Sequence, residues 1–203
     1  PCTCSTDGMI DRDIKTCLGQ MMKGVEVVGA THGGITRAYT SHWVTQVSFA
    51  EPIVLASVSP RHDTHPLIVD SGEFSVSILA GDQVAEGQYF SYPGRKFLHV
   101  AEEYLSEWPD DPSGPPIVPN SIAHLRCRVL ERATVEDHDL FLARVTSTVA
   151  GRLKEPPLLY SSRLGWRIAG ERAREPGTSI RDALLARLGE SDDGSAAADL
   201  SGD

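Results

Sequence analysis

No stretch of this 203-residue chain approaches the roughly 20 consecutive apolar residues that a membrane-crossing helix needs, so a bilayer-spanning role through helices has no support. No Gly-x-Gly-x-x-Gly follows a strand-like run, and this removes the pattern of a βαβ dinucleotide site. Internal repeats are absent as well. Basic charge is scarce: 19 Lys and Arg stand against 28 Asp and Glu, a net charge of −9. Five of the acids (Glu190, Asp192, Asp193, Asp199, Asp203) lie in the basefree run 189–203, and without them the body carries about −4. A nearly neutral body gives nucleic acid little electrostatic attraction. The first 13 residues show no basic stretch followed by an apolar one, so the expected location is cytoplasmic and reducing.

Cysteine is sparse too. Cys2-Thr3-Cys4 is too tightly spaced for the usual zinc pair, and Cys17 and Cys127 supply no second pair. Cys17 and Cys127 fall on apolar positions of a helix and a strand, where a thiol is expected to act as a small core residue. His62-x-x-His65 places two imidazoles on one helical face, but no third ligand stands near them in sequence, so no metal is expected.

What the chain does contain is a succession of short strand signals. A helix is predicted over 9–22, from Ile10, Ile14, Cys17, Leu18 and Met21 at helical spacing. Strands follow from Val25, from Ile35 and from Trp43 to Phe49, with His32-Gly33-Gly34 as a hairpin signal. The run Ile53–Val58 reads as a buried strand, Thr64–Ser71 as a helix capped by Thr64, and Phe74–Leu79 as an alternating strand with Ser75 and Ser77 on the open face. A short helix is predicted over 82–90. Five prolines make 107–120 a loop. Two long strands flank a turn at Asp137-His138-Asp139, Leu158–Ile168 forms a last barrel segment, and 179–188 an amphipathic helix. A leading helix and about seven closely spaced strands, with one or two brief helices inserted, argue a mainly β barrel rather than a βαβ fold. The expected organisation is a flexible segment 1–8, a barrel domain 9–170, and an extension 171–203 with a disordered acidic tail.

Two segments concentrate chemistry. Thr40-Ser41-His42-Trp43-Val44-Thr45-Gln46-Val47-Ser48 loads hydroxyl, imidazole, indole and amide groups onto one strand. Val58-Ser59-Pro60-Arg61-His62-Asp63-Thr64-His65 brings a base and hydroxyls to a helix start, where free N–H groups and the helix dipole favour an anion. A half-exposed strand and a capped loop would explain each segment taken alone. Together they provide an anion cradle, polar groups for a ring edge and apolar walls, the needs of a flavin.

Their order along the chain resembles the flavin reductase-like family. The resemblance is carried by Gly24–Val28, Thr40–Ser48, Glu51-Pro52-Ile53-Val54, Thr64-His65-Pro66-Leu67-Ile68, Ser71–Leu79 and Asp137–Phe141, and it spans about 14–166. It implies a mainly β, FMN-binding split β-barrel of Greek-key type with a few short helices, which works as a homodimer and reduces flavin with NAD(P)H, FAD or riboflavin being further flavin substrates. Reduced flavin would then serve a partner oxygenase or another electron acceptor. By the same resemblance Thr40, Ser41, His42 and Trp43 line the isoalloxazine edge, and Ser57, Val58 and Ser59 meet the ribityl chain. Arg61, His62 and Thr64 hold the phosphate, Arg95, Lys96 and Phe97 close the site, and His138 stands where the nicotinamide stacks. His42, His62 and Pro60 depart from the family's usual residues, so Arg61 or His62 must supply the phosphate's positive charge. The competing function is a non-enzymatic carrier of flavin, or of haem through His42, His62 or His99.

Overall fold

The computed structural model describes residues 10–92 and 102–170, all but the last belonging to one compact unit that ends at Ala169. Cys2 and Cys4, His99, Arg95-Lys96-Phe97 and the proposed 179–188 helix lie outside the described residues.

The hairpin signal at 32–34 folds as expected. β2 (Glu26–His32) and β3 (Ile35–Ser41) are joined by Gly33 and Gly34 at φ 57° and 76°, the left-handed pair that a tight two-residue turn requires. β5 (Ile53–Val58), β6 (Glu73–Ile78), β7 (Ala123–Val135) and β8 (His138–Ala150) complete the main sheet with a short edge strand, β4 (Val44–Gln46). The sheet has seven strands in the order β3-β2-β6-β7-β8-β5-β4, every pair antiparallel. It curls like a half-barrel. Val28, Ala30 and Tyr39 from one end share a core with Val54, Ala56 and Val58 from the other, and the Tyr39 hydroxyl reaches the Ser57 carbonyl at 3.5 Å.

α2 (Thr64–Ser71) plugs this curl with Leu67 and Ile68, which meet Phe74 and Phe141. Gly72 ends it in the left-handed conformation (φ 69°). The sequence placed the cap on Thr64; the structure puts Asp63 at the N-cap and Thr64 in the first turn. Cys127 is fully buried in this core, as expected, and burial pushes its thiol up to about 12.

A smaller sheet, β1 (Lys23–Gly24), β9 (Leu158–Ser161) and β10 (Gly165–Ile168), lies in the order β1-β9-β10. The predicted last segment 158–168 is therefore a hairpin of a second sheet rather than one strand of the barrel. Ser75 and Ser77 also differ from expectation. Both are buried, because the proline-rich loop crosses β6. Ser75 donates to the Pro116 carbonyl, and Ser77 pairs with Val118 N–H and His124 Nδ1, each at 3.0 Å. A Cβ on Gly29 would sit 2.7 Å from Pro116 Cγ, so this close crossing needs glycine there.

α1 (Arg12–Leu18) is shorter than predicted, and α3 (Val84–Tyr89) falls inside its predicted range. Asp11 caps α1 by accepting from Asp13 N–H at 2.8 Å, and Gly19, not Gly24, ends it. The apolar stripe in and beside it is left largely uncovered by the described residues: Ile10, Ile14, Leu18, Met21 and Met22 are exposed. Cys17 is likewise exposed, which corrects its assignment to the core. No helix among the described residues is long and apolar enough to cross a membrane.

Candidate active site

The polar strand segment makes a sharp exit from β3. Ser41 Oγ accepts the Trp43 N–H at 3.1 Å, a local side-chain bond that competes with the ladder and bends the chain. Trp43 is thereby turned outward while its carbonyl accepts Ser57 N–H at 3.0 Å. Thr40 is anchored from the other side, its hydroxyl on the Gly87 carbonyl at 2.7 Å and its N–H on the Phe90 carbonyl at 3.0 Å.

These bends open a cleft of about 210 Å³ that contains Thr40, Ser41, His42, Trp43, Ser57, His62 and His138. Seven of the residues proposed from sequence thus meet, although they span almost 100 positions of chain. His138 lies across Trp43, ring centroids 5.0 Å apart at 65°. His62 stacks on Tyr39 at 4.2 Å, and His42 stacks on Tyr160 at 4.4 Å. Burial, reinforced for His62 by the neighbouring His138, lowers the basicity of both His42 and His62.

His138 is not a turn residue as expected. The turn is Glu136-Asp137, with Glu136 at φ 52°, and His138 opens β8. Its Nδ1 meets Asp137 Oδ1 at 2.8 Å, a contact that lowers the Asp137 carboxyl.

The loop ahead of α2 lies beside the cleft. Ser59 Oγ accepts Arg61 N–H and donates to the Asp137 carbonyl, both at 3.4 Å. Two further amides there are also committed, His62 N–H to the Ser59 carbonyl and His65 N–H to the His62 carbonyl, and Pro66 has none. An anion at this loop would therefore depend on the exposed Arg61 side chain more than the sequence suggested. Thr64 is only 1% exposed, and Val58 is buried in the core, so its side chain faces away from the cleft.

Sequence reasoning missed Lys23, Tyr39, Tyr160 and Ser162, which also line the cleft. Three of these come from β1 and the β9–β10 hairpin, whose docking beside the main sheet no local pattern announces. Only the aromatic residues at Tyr160 and Trp166, flanking a Gly turn, offered a hint. No cluster able to hold a metal occurs among the described residues, where His65 is instead engaged by Asp139.

Residues 18–164 match the model of the flavin reductase like domain, well over half of the chain. The chain belongs to the flavin reductase-like family. A Rhodococcus opacus protein, the reductase component of 4-nitrophenol 4-monooxygenase/4-nitrocatechol 2-monooxygenase, is 29% identical to this flavin reductase-like protein over 75% of its length and 79% of the relative's. An NADH:riboflavin 5'-phosphate oxidoreductase of Streptomyces pristinaespiralis is 30% identical, over 68% and 74% of the two chains. In fold, the chain resembles an NADH:FAD oxidoreductase from Streptomyces globisporus, with a TM-score of 0.70 at 22% identity, covering 84% of this chain and 100% of the other.

Proposed function

We propose that this flavin reductase-like protein binds FMN in the cleft between Trp43 and the β9–β10 hairpin. There it passes hydride from NAD(P)H to the flavin and delivers reduced flavin to an oxygenase partner. One observation carries the reading: a cleft walled by aromatic rings, edged by hydroxyls and backbone of 40–43, lies next to an arginine-bearing loop at a helix head. Bound flavin supplies the hydride acceptor. Thr40–Trp43 orient its ring edge, Ser57 and Ser59 face the ribityl chain, and Arg61 with His62 meets the phosphate. His138, on the open side against Trp43, orients the nicotinamide so that the reacting atoms come within hydride range. The relatives' names support both the NADH dependence and the oxygenase partner.

A homodimeric split barrel is part of the proposal. The 210 Å³ cleft is smaller than the roughly 300–1,000 Å³ usual for a ligand of this size. It runs into a groove of about 670 Å³ along Leu18, Met21 and Met22, where a second chain would complete it. Phe49, fully exposed, and Trp43 add to the uncovered apolar surface. Light scattering should give a dimer; a monomer that still binds FMN tightly rejects this assembly.

The absorbance spectrum of purified protein, before and after anaerobic addition of NADH, tests the function. A flavin spectrum that bleaches is expected. One that persists favours a carrier, and a Soret band favours haem, against which His42 and His62 already stand stacked on tyrosines.

A further inference from the structure

We propose that the His65–Asp139 pair is a positioning device for hydride transfer, joining the loop at the head of α2 to the start of β8 and so fixing His138 over the cleft. The inference rests on the reductase reading above and adds to it two residues that do not line the cleft.

The backbone of His138 pairs with Val135 of β7, but among the described residues its ring is steadied only by the edge-on contact with Trp43 and a hydrogen bond to Asp137, whose side chain is 80% exposed, and an exposed contact of this kind is weak. The direction of its ring is therefore set by the backbone of 137–139. On both sides of His138 that backbone is tied to the α2 loop. Before it, the Asp137 carbonyl accepts from Ser59 Oγ at the long distance of 3.4 Å. After it, the Asp139 carboxylate accepts from His65 Nε2–H at 2.7 Å, with side-chain exposures of 7% and 13%.

The second tie is the strong one. The other oxygen of Asp139 accepts from Thr134 Oγ1 across the hairpin at 2.7 Å, and Arg132 Nε approaches at 3.8 Å. These contacts, the Thr134 hydroxyl first and then His65, hold the Asp139 carboxyl below its usual range, so it stays an acceptor. His65 is itself clamped edge-on against Phe141, at 5.7 Å and 67°, and Phe141 belongs to the main core. Because side chains alternate along a strand, Asp139 faces α2 while its neighbour His138 faces the cleft. The pair thus transmits the rigidity of the core to the one residue placed at the nicotinamide position. It also links that residue mechanically to the phosphate loop.

The test is a double-mutant cycle between His65 and His138 in FMN-loaded protein. His65→Leu keeps the size of the side chain and removes the donor; His65→Gln keeps an amide donor of similar reach. Two quantities are read: the dissociation constant of NAD+, by flavin difference absorbance, and the anaerobic rate of flavin reduction by NADH. His65→Leu should raise the first and slow the second by about tenfold, the effect of ~1.4 kcal/mol of lost orientation. His65→Gln should recover most of that loss. In a His138→Ala background His65→Leu should change either quantity by less than about twofold, since its effect passes through His138. If His65→Leu does not fold, Thr134→Val, which removes the other bond to Asp139 in a strand-compatible shape, replaces it with the same pattern expected. Additive losses, or a folded variant as fast as wild type, overturn the positioning role alone. A wild type that NADH cannot reduce overturns the reductase reading and this inference with it.

Discussion

Glu26→Gln should remove a loss of stability that runs from about pH 4.5 to about 8. Glu26 lies on β2 with its side chain at an apolar cavity of about 380 Å³ formed with Val44, Ile53, Val76, Leu125 and Val145. Its Oε2 is buried and has no hydrogen-bond partner among the described residues. Burial pushes the carboxyl from 4.5 up to about 8, only slightly offset by a bond to its own backbone. A folded-state value above the unfolded one means that the folded chain holds the extra proton between those limits. The stability that this proton contributes is therefore complete below about pH 4.5, declines as pH rises to about 8, and levels off above that. At about 1.4 kcal/mol per unit, the shift sets a ceiling of roughly 5 kcal/mol, and local opening that admits water will lower it to a few. Glutamine has the same shape and cannot ionise. Urea unfolding of both proteins at pH 5, 7 and 9, at one protein concentration, should show Glu26→Gln gaining on wild type by about 2 kcal/mol or more at pH 9. Common titrations cancel in that difference. Parallel profiles from pH 5 to 9 would show that Glu26 is solvated or paired, and the argument from its burial would fail.

Three further outcomes follow from packing and from the cleft. Phe74→Ala, at a fully buried position facing α2, should cost about 3–5 kcal/mol in denaturant unfolding. Arg61→Ala should weaken FMN binding by about 1–3 kcal/mol in a fluorescence titration and leave riboflavin, which has no phosphate, nearly unchanged. His138→Ala should slow reduction by NADH roughly tenfold in stopped flow while reduction by dithionite, which needs no docking, keeps its rate.

Local signals announced most of the main sheet because each is written in neighbouring residues. The paired glycines at 33–34 define a turn, the run Ile53–Val58 defines a buried strand, and Ser71-Gly72 stops a helix. The cleft was legible on one side only. Thr40–Trp43 stood out as polar groups on one strand and His62 at a helix start, and Ser57 and His138 came from the family resemblance, but Lys23 and Tyr160 reach the cleft from a small sheet that joins chain positions about 140 apart. Alternation misled at Ser75 and Ser77, where a polar face is buried beneath a crossing loop that satisfies its hydroxyls. Helical periodicity in α1 was read correctly as a stripe, yet periodicity does not say whether its own chain will cover the stripe.

The scatter of the cleft's walls along the chain has a consequence for folding. Lys23, Thr40, Ser57, His62, His138 and Tyr160 come from five stretches of backbone, and their union needs both the curled sheet and the small sheet in place. A partly folded chain owns pieces of the cleft and none of its affinity. A ligand confined to the finished fold stabilises it by RT ln(1 + [L]/Kd), about 2.7 kcal/mol at a hundredfold excess over Kd. Flavin bound in the proposed cleft would then gauge maturation: only chains that complete both sheets would capture it and gain that stabilisation, and chains that stall would stay colourless.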